Sequence, residues 1–278
     1  MTLITAMVTP FKEGALDLEG LCENIEYQIK AGVQGLLFLG TTGEAHALSL
    51  QERNELLKRA ITSVAGRAQV MVGTGTNNTQ TTIARTKEAQ DLGADCVLVV
   101  TPSYVCPSHG GILAHYEALC QKTTLPICLY NHPKRTGTAL RVETIIALMQ
   151  DPQIDAIKEA SGSTTQMTEL IARGIKVYGG DDGQVLSAMA LGACGLISVT
   201  SNLLAEKMGR IVSQCNHQEF YEIYDLIKAI FMEPNPIGIK AAMELAGMKA
   251  GPCRLPMGRS NNLEMIRDGL QKQILCTA

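Results

Sequence analysis

The sequence predicts an α/β protein, a (β/α)8 TIM barrel with a C-terminal helical appendage. Three observations point there. Short runs rich in Val, Ile and Leu alternate with longer segments of helical periodicity, as expected for parallel strands covered on both faces. Eight such strand–helix units fit into about 215 residues, the arithmetic of a closed barrel. Glycine ends several of the helical segments, at Ala31-Gly32, Leu92-Gly93 and Leu191-Gly192, where a C-cap is expected. A doubly wound sheet gives the same alternation, but the count of eight and the lack of a dinucleotide fingerprint favour closure.

Strands are predicted at 3–8, 35–39, 69–72, 96–100, 127–130, 154–158, 176–178 and 195–199. After the first, Leu18, Leu21, Cys22, Ile25 and Ile29 fall on one helical face; after the second, Leu57, Ala60, Ile61 and Val64 do the same. The third opens into Gly73-Thr74-Gly75, which resembles the start of a dinucleotide loop, but Asn78 stands where the third glycine belongs. Beyond the eighth unit the chain reads as helical. Phe220, Ile223, Tyr224, Ile227 and Phe231 share a face, Pro234-Asn235-Pro236 breaks the chain, and another helix runs through Ala246-Gly247. The expected division is a catalytic barrel over 1–216 and a helical segment over 217–278.

The 278 residues, 46% of them hydrophobic and 18% charged, are ordinary for a soluble globular protein with a sizeable core. A net charge of −3 gives no electrostatic reason to expect nucleic acid or an anionic membrane as partner. With no tryptophan and 4% aromatics, stacking platforms for single-stranded nucleic acid are not expected either. No apolar stretch approaches a bilayer span, and Met1-Thr2-Leu3-Ile4-Thr5 lacks a signal peptide's basic start. The nine cysteines, scattered from Cys22 to Cys276, contain no Cys-x-x-Cys; Cys96, Cys128 and Cys194 sit in apolar runs as reduced buried thiols would. A cytoplasmic protein without structural disulfides is expected.

In a barrel, chemistry collects at the C-terminal ends of the strands. There the sequence places Gly40-Thr41-Thr42-Gly43-Glu44, Thr101-Pro102-Ser103-Tyr104, Tyr130-Asn131 followed by His132 to Gly137, Ile157-Lys158-Glu159, and Gly179-Gly180-Asp181-Asp182-Gly183. Lys158 is the sharpest feature. Burial in an apolar strand lowers a lysine toward its neutral amine, which attacks a ketone to give an imine. The plain alternative is a lysine at a frayed strand end, solvated or paired with Glu159. Tyr130, one strand earlier, supplies a phenolic proton, with Thr41 and Tyr104 as hydroxyl neighbours to pass it on. The paired threonines suit a carboxylate cradle, or else a capped turn. Arg135 suits a second carboxylate, or is an exposed loop arginine. Asp181-Asp182 reads as a helix N-cap, since no further ligand has metal spacing around it.

These motifs, in this order and on these strand ends, resemble the dihydrodipicolinate synthase (4-hydroxy-tetrahydrodipicolinate synthase) family of class I pyruvate aldolases along nearly the whole chain. The resemblance implies condensation of pyruvate with L-aspartate 4-semialdehyde in lysine and diaminopimelate biosynthesis. It implies Lys158 as the Schiff-base residue, Tyr130 as proton donor and acceptor, and a relay of Thr41, Tyr130 and Tyr104, the last reaching across a subunit interface. Thr42, Gly180 and the Ile197 backbone would contact pyruvate, and Arg135 the semialdehyde carboxylate. A homotetramer of tight dimers is implied, and neither metal nor organic cofactor.

Two competing readings follow from the same residues. One is a related pyruvate-dependent aldolase, an N-acetylneuraminate or 2-keto-3-deoxy sugar acid lyase; those resemble the chain less at Thr41 and in the Arg135-Thr136-Gly137 run. The other is a non-catalytic barrel that binds or scaffolds. The chain also departs from lysine-inhibited members, whose polar contacts to lysine align with Leu50, Thr81 and Ser103 here, while Asn77 remains. Weak or absent lysine feedback is expected. His132 and Lys134 beside Pro133 are unusual for the family.

Overall fold

A computed structural model describes residues 1–275. Eight parallel strands close into a barrel: β1 (Thr2–Ala6), β4 (Gly35–Phe38), β5 (Gln69–Gly73), β6 (Cys96–Val100), β7 (Ile127–Asn131), β8 (Ile154–Glu159), β9 (Val177–Gly179) and β10 (Gly195–Ser198). Each lies within two residues of its predicted span. Strands β2 (Phe11–Lys12) and β3 (Ala15–Leu16) form a hairpin that sequence patterning did not reveal. Its turn needs positive φ at both Glu13 (53°) and Gly14 (81°), and glutamate gives no signal for that conformation.

The helices that follow the barrel strands are α1 (Leu18–Lys30), α2 (Leu50–Val64), α3 (Thr79–Leu92), α4 (His109–Cys120), the short α5 (Pro133–Thr136) with α6 (Val142–Leu148), α7 (Thr164–Ala172), α8 (Val185–Leu191) and α9 (Ala205–Gln214). Side-chain alternation along the strands divides the apolar residues into two layers. Leu129, Ile157 and Leu196 face the helices, within the main core. Leu98, Cys128, Tyr130, Ala156 and Ile197 point into the barrel. Gly93 and Gly192 end α3 and α8 in the left-handed conformation, as the glycine punctuation suggests. The discounted Gly73-Thr74-Gly75 stretch has a packing reason instead. A Cβ on Gly73 would sit 2.4 Å from the Leu39 carbonyl oxygen, and one on Gly75 would sit 2.5 Å from the Val100 nitrogen.

The C-terminal elements are α10 (His217–Phe231), α11 (Ile237–Leu245) and α12 (Leu263–Leu275). Phe220, Ile223 and Ile227 of α10 are buried, while Tyr224 and Phe231 are partly exposed. Ile239, Ala242 and Met243 of α11 pack with Val8, Val199 and Leu203 from the rim of the barrel. The appendage therefore closes over the end of the barrel at which the polar strand ends collect. Eight described cysteines are free thiols, and Cys276 lies outside the described residues. Among the described residues no helix is long and apolar enough to cross a membrane.

Candidate active site

Lys158 stands on β8 opposite Tyr130 of β7, one register step from the strand ends. The alternation that sends Ala156 into the barrel sends Lys158 there as well, and sends Glu159 outward. The two neighbours therefore do not pair. Glu159 accepts hydrogen bonds from Asn131 Nδ2 (2.9 Å), Gln166 Nε2 (3.1 Å) and the Ser161 amide (2.6 Å), which brace the outer side of the strand. Lys158 is 5% exposed and has no salt bridge among the described residues. Burial lowers its pKa to about 8; Arg135 acts in the same sense, while Asp182 and Cys128 oppose it. Neither a solvated strand end nor an ion pair with Glu159 describes this lysine.

The amine nitrogen lies 4.8 Å from the centre of the Tyr130 ring. Burial raises the Tyr130 phenol to about 12, against the pull of Arg135 and of the Thr41 hydroxyl. It therefore keeps its proton at neutral pH and is placed to donate it. Gly180 makes the lysine's path possible: a Cβ there would lie 2.9 Å from Lys158 Cε and 2.7 Å from Ala160 Cβ. Asp182 accepts from the amides of Val199 (3.0 Å) and Thr200 (2.6 Å), and its burial raises its pKa. Asp181 is the residue that caps, accepting from Gly183 N at 2.9 Å.

A cavity of about 430 Å³ opens above the amine, bounded by Thr41, Thr42, Tyr130, Lys158 and Gly180 on the barrel side and by Phe231 and Asn235 from the appendage. Arg135 and His132 line it too, and both also line a second cleft of about 450 Å³ toward Asn77, Thr81 and Ser103. Thr41, Thr42, Tyr130, Arg135, Lys158 and Gly180 thus share one cavity. Ile197 is fully buried deeper in the barrel, and its neighbour Val199 reaches the cavity wall. Tyr104 stands apart. It is 90% exposed at φ 72°, with its amide tied to the Thr136 carbonyl, so this chain alone leaves the phenol outside the site.

Two groups, Asn235 and Lys240, carry no signal in the sequence because they lie almost 200 residues from their partners on the threonine turn. Asn235 donates from Nδ2 to Thr42 Oγ1 at 2.9 Å, and its carbonyl accepts from Arg135 at 3.2 Å. Lys240, 1% exposed, pairs at 2.7 Å with the fully buried Glu44 and donates to the Thr9 carbonyl at 2.9 Å. The Thr9 hydroxyl in turn holds the Gly43 carbonyl at 2.6 Å. The threonine turn, whose Glu44 adopts a left-handed φ of 49°, is therefore fixed from the appendage. The only local hint was Pro234-Asn235-Pro236, which reads as a chain break and nothing more.

The arrangement can do four things. It offers a buried amine of lowered basicity to a carbonyl carbon, a phenol to the oxygen that leaves, a hydroxyl turn to one carboxylate and a guanidinium to another.

Comparison with known proteins places the chain in a family. Residues 1–273 match the model of the Dihydrodipicolinate synthetase family. A 4-hydroxy-tetrahydrodipicolinate synthase of Exiguobacterium is 42% identical over 264 residues, covering 91% of this chain and 90% of that protein. The crystal structure of dihydrodipicolinate synthase from Thermotoga maritima superposes with a TM-score of 0.95 at 35% identity, covering 99% and 98% of the two chains. The chloride-inhibited enzyme from Acinetobacter baumannii, complexed with pyruvate, gives 0.94 at 36% identity and 98% of each chain.

Proposed function

The chain belongs to the dihydrodipicolinate synthetase family and is a lyase of the class I aldolase type; from that premise we propose that it condenses pyruvate with L-aspartate 4-semialdehyde through an imine on Lys158. One observation carries the reading: a buried amine, brought down to about 8, faces a protonated phenol across adjacent strands in a cavity that holds a guanidinium. The neutral amine adds to the ketone carbon, Tyr130 donates a proton to the departing oxygen, and water leaves. The Tyr130 phenolate left by that step takes a methyl proton to give the enamine, whose carbon bonds to the aldehyde carbon, and the re-protonated Tyr130 gives its proton to the resulting alkoxide. The acceptor's ammonium group then returns a proton to the Tyr130 phenolate, and its free amino nitrogen attacks the imine carbon, closing the ring and releasing Lys158.

Thr42 and Gly180 lie along the pyruvate end of the cavity, and Arg135 suits the acceptor's carboxylate because a planar guanidinium binds a carboxylate through two parallel bonds. Ile197 is proposed to contribute through its backbone only. Tyr104 completes the relay with Thr41 and Tyr130 only if a second subunit supplies it, so its 90% exposure is consistent with a tight dimer, and the homotetramer of two such dimers is proposed on the family resemblance alone. A cytoplasmic enzyme of lysine and diaminopimelate biosynthesis fits these features. The comparisons favour the synthase over a sialic-acid or keto-deoxy sugar acid lyase.

Substrate profiling tests the reading. Pyruvate with aspartate semialdehyde is expected to be turned over in preference to N-acetylneuraminate or a 2-keto-3-deoxy sugar acid. Efficient cleavage of either sugar acid, without condensation, would overturn it.

A further inference from the structure

We propose that His132 is a specificity-determining residue that accepts a hydrogen bond from the α-ammonium group of the acceptor substrate, beside the Arg135 that takes its carboxylate. The proposal rests on the condensation reading above and names how that site recognises an α-amino acid aldehyde.

His132 precedes the short helix α5, and the turn holds it against Arg135, whose amide donates to the His132 carbonyl at 2.9 Å. Its ring meets the Tyr130 ring edge to face, with centroids 5.8 Å apart. It lines both the reaction cavity and the adjoining cleft, as Arg135 does. Among the described residues no other residue hydrogen-bonds to the ring, and Nδ1 is buried without a partner. A polar ring left unpaired in a substrate cavity points to a partner that arrives with the substrate.

The surrounding charge decides what kind of partner. Burial, then Arg135 and Lys158, bring the imidazole down to about 4, so at neutral pH it carries one lone pair and no charge. An α-amino acid aldehyde presents a carboxylate and an ammonium on the same carbon. With the carboxylate on Arg135, the ammonium on the same carbon lies beside it in the cavity that His132 also lines, and needs an acceptor. Glu233, the carboxylate on this wall, already accepts from Ser260 Oγ (2.5 Å) and the Asn261 amide (3.0 Å). Asn235 Oδ1 is also unpaired, but its side chain is tied to Thr42, whereas the imidazole has only a local bond to its own backbone and none to another described residue.

The test compares two aldehydes that share a carboxylate and differ in the amino group. The readouts are kcat/KM for aspartate semialdehyde and the inhibition constant of succinate semialdehyde, in the parent, His132→Val and His132→Asn. Pyruvate trapping by borohydride is run on each. His132→Val is expected to lower kcat/KM on the order of tenfold, mainly through KM, with the succinate semialdehyde constant and the trapping yield retained. His132→Asn, which keeps an acceptor, is expected to recover most of the loss. Equal weakening toward both aldehydes would mean that the ring only packs, or donates to the shared carboxylate, and would overturn the proposal, as would no change at all. Absence of any adduct on the parent enzyme is a separate outcome, which removes the condensation reading and the role of His132 with it.

Discussion

Replacing Lys158 with methionine is expected to stabilise the folded protein at neutral pH while removing its chemistry. The magnitude follows from the lysine's surroundings. Burial first, with Arg135, lowers the amine from 10.5 to about 8. That gap of about 2.5 pH units corresponds to roughly 3 kcal/mol held against the fold. The sign is fixed by linkage. Between pH 8 and 10.5 the unfolded chain keeps a proton that the folded chain has released, so stability rises with pH across that window. Below about 8 the full penalty applies, and above 10.5 none remains. Methionine matches the unbranched shape of lysine and breaks no salt bridge among the described residues, exchanging the amine's 4.8 Å contact with the Tyr130 ring for a sulfur–aromatic one. Urea unfolding of both proteins at pH 7 and at pH 10 reads the difference. The variant is expected to be about 2–3 kcal/mol more stable at pH 7, with the advantage shrinking as the pH rises. A variant no more stable than the parent at pH 7, or an advantage indifferent to pH, would refute the account of a desolvated amine.

Other consequences are equally direct. Arg135→Ala is expected to raise the KM for aspartate semialdehyde at least tenfold while pyruvate trapping continues; loss of trapping would place the guanidinium in the wrong step. Gly180→Ala brings a Cβ to 2.9 Å from Lys158 Cε and 3.1 Å from the Glu159 carbonyl. Trapping by the variant is expected to slow at least tenfold, with about 1–3 kcal/mol of stability lost, and wild-type trapping rates would contradict this. Lys240→Met leaves Glu44 buried without its counter-ion, though still bonded to the Arg254 amide, an expected loss of about 3–5 kcal/mol. The double variant with Glu44→Gln should recover much of it in thermal unfolding, and strictly additive losses would show the pair to be uncoupled. L-lysine is expected to inhibit weakly, because Asn77, Thr81, Ser103, Arg85 and His46 line the 450 Å³ cleft without a carboxylate to receive a second ammonium. A micromolar inhibition constant would contradict that.

The barrel was legible because buried parallel strands write themselves as continuous apolar runs, and because strand ends are where its chemistry must be. Lys158 and Tyr130 were found that way, each standing at the polar end of such a run. Exposure was not legible. Nothing local distinguishes Tyr104, left outside by a positive φ, from Tyr130 on the barrel axis. Long-range pairing was not legible either. Lys240 and Asn235 look like ordinary residues of a polar segment until the appendage folds back onto Glu44 and Thr42. His132 lay in plain view, but only the cavity and its unpaired ring gave it a physical reading.

The central claim is the covalent one, and borohydride trapping tests it most directly. Incubation with pyruvate and reductant, followed by peptide mapping in a mass spectrometer, is expected to place one reduced pyruvate adduct on Lys158. The adduct should be absent in Lys158→Met. No adduct, or an adduct on another lysine, would contradict the account.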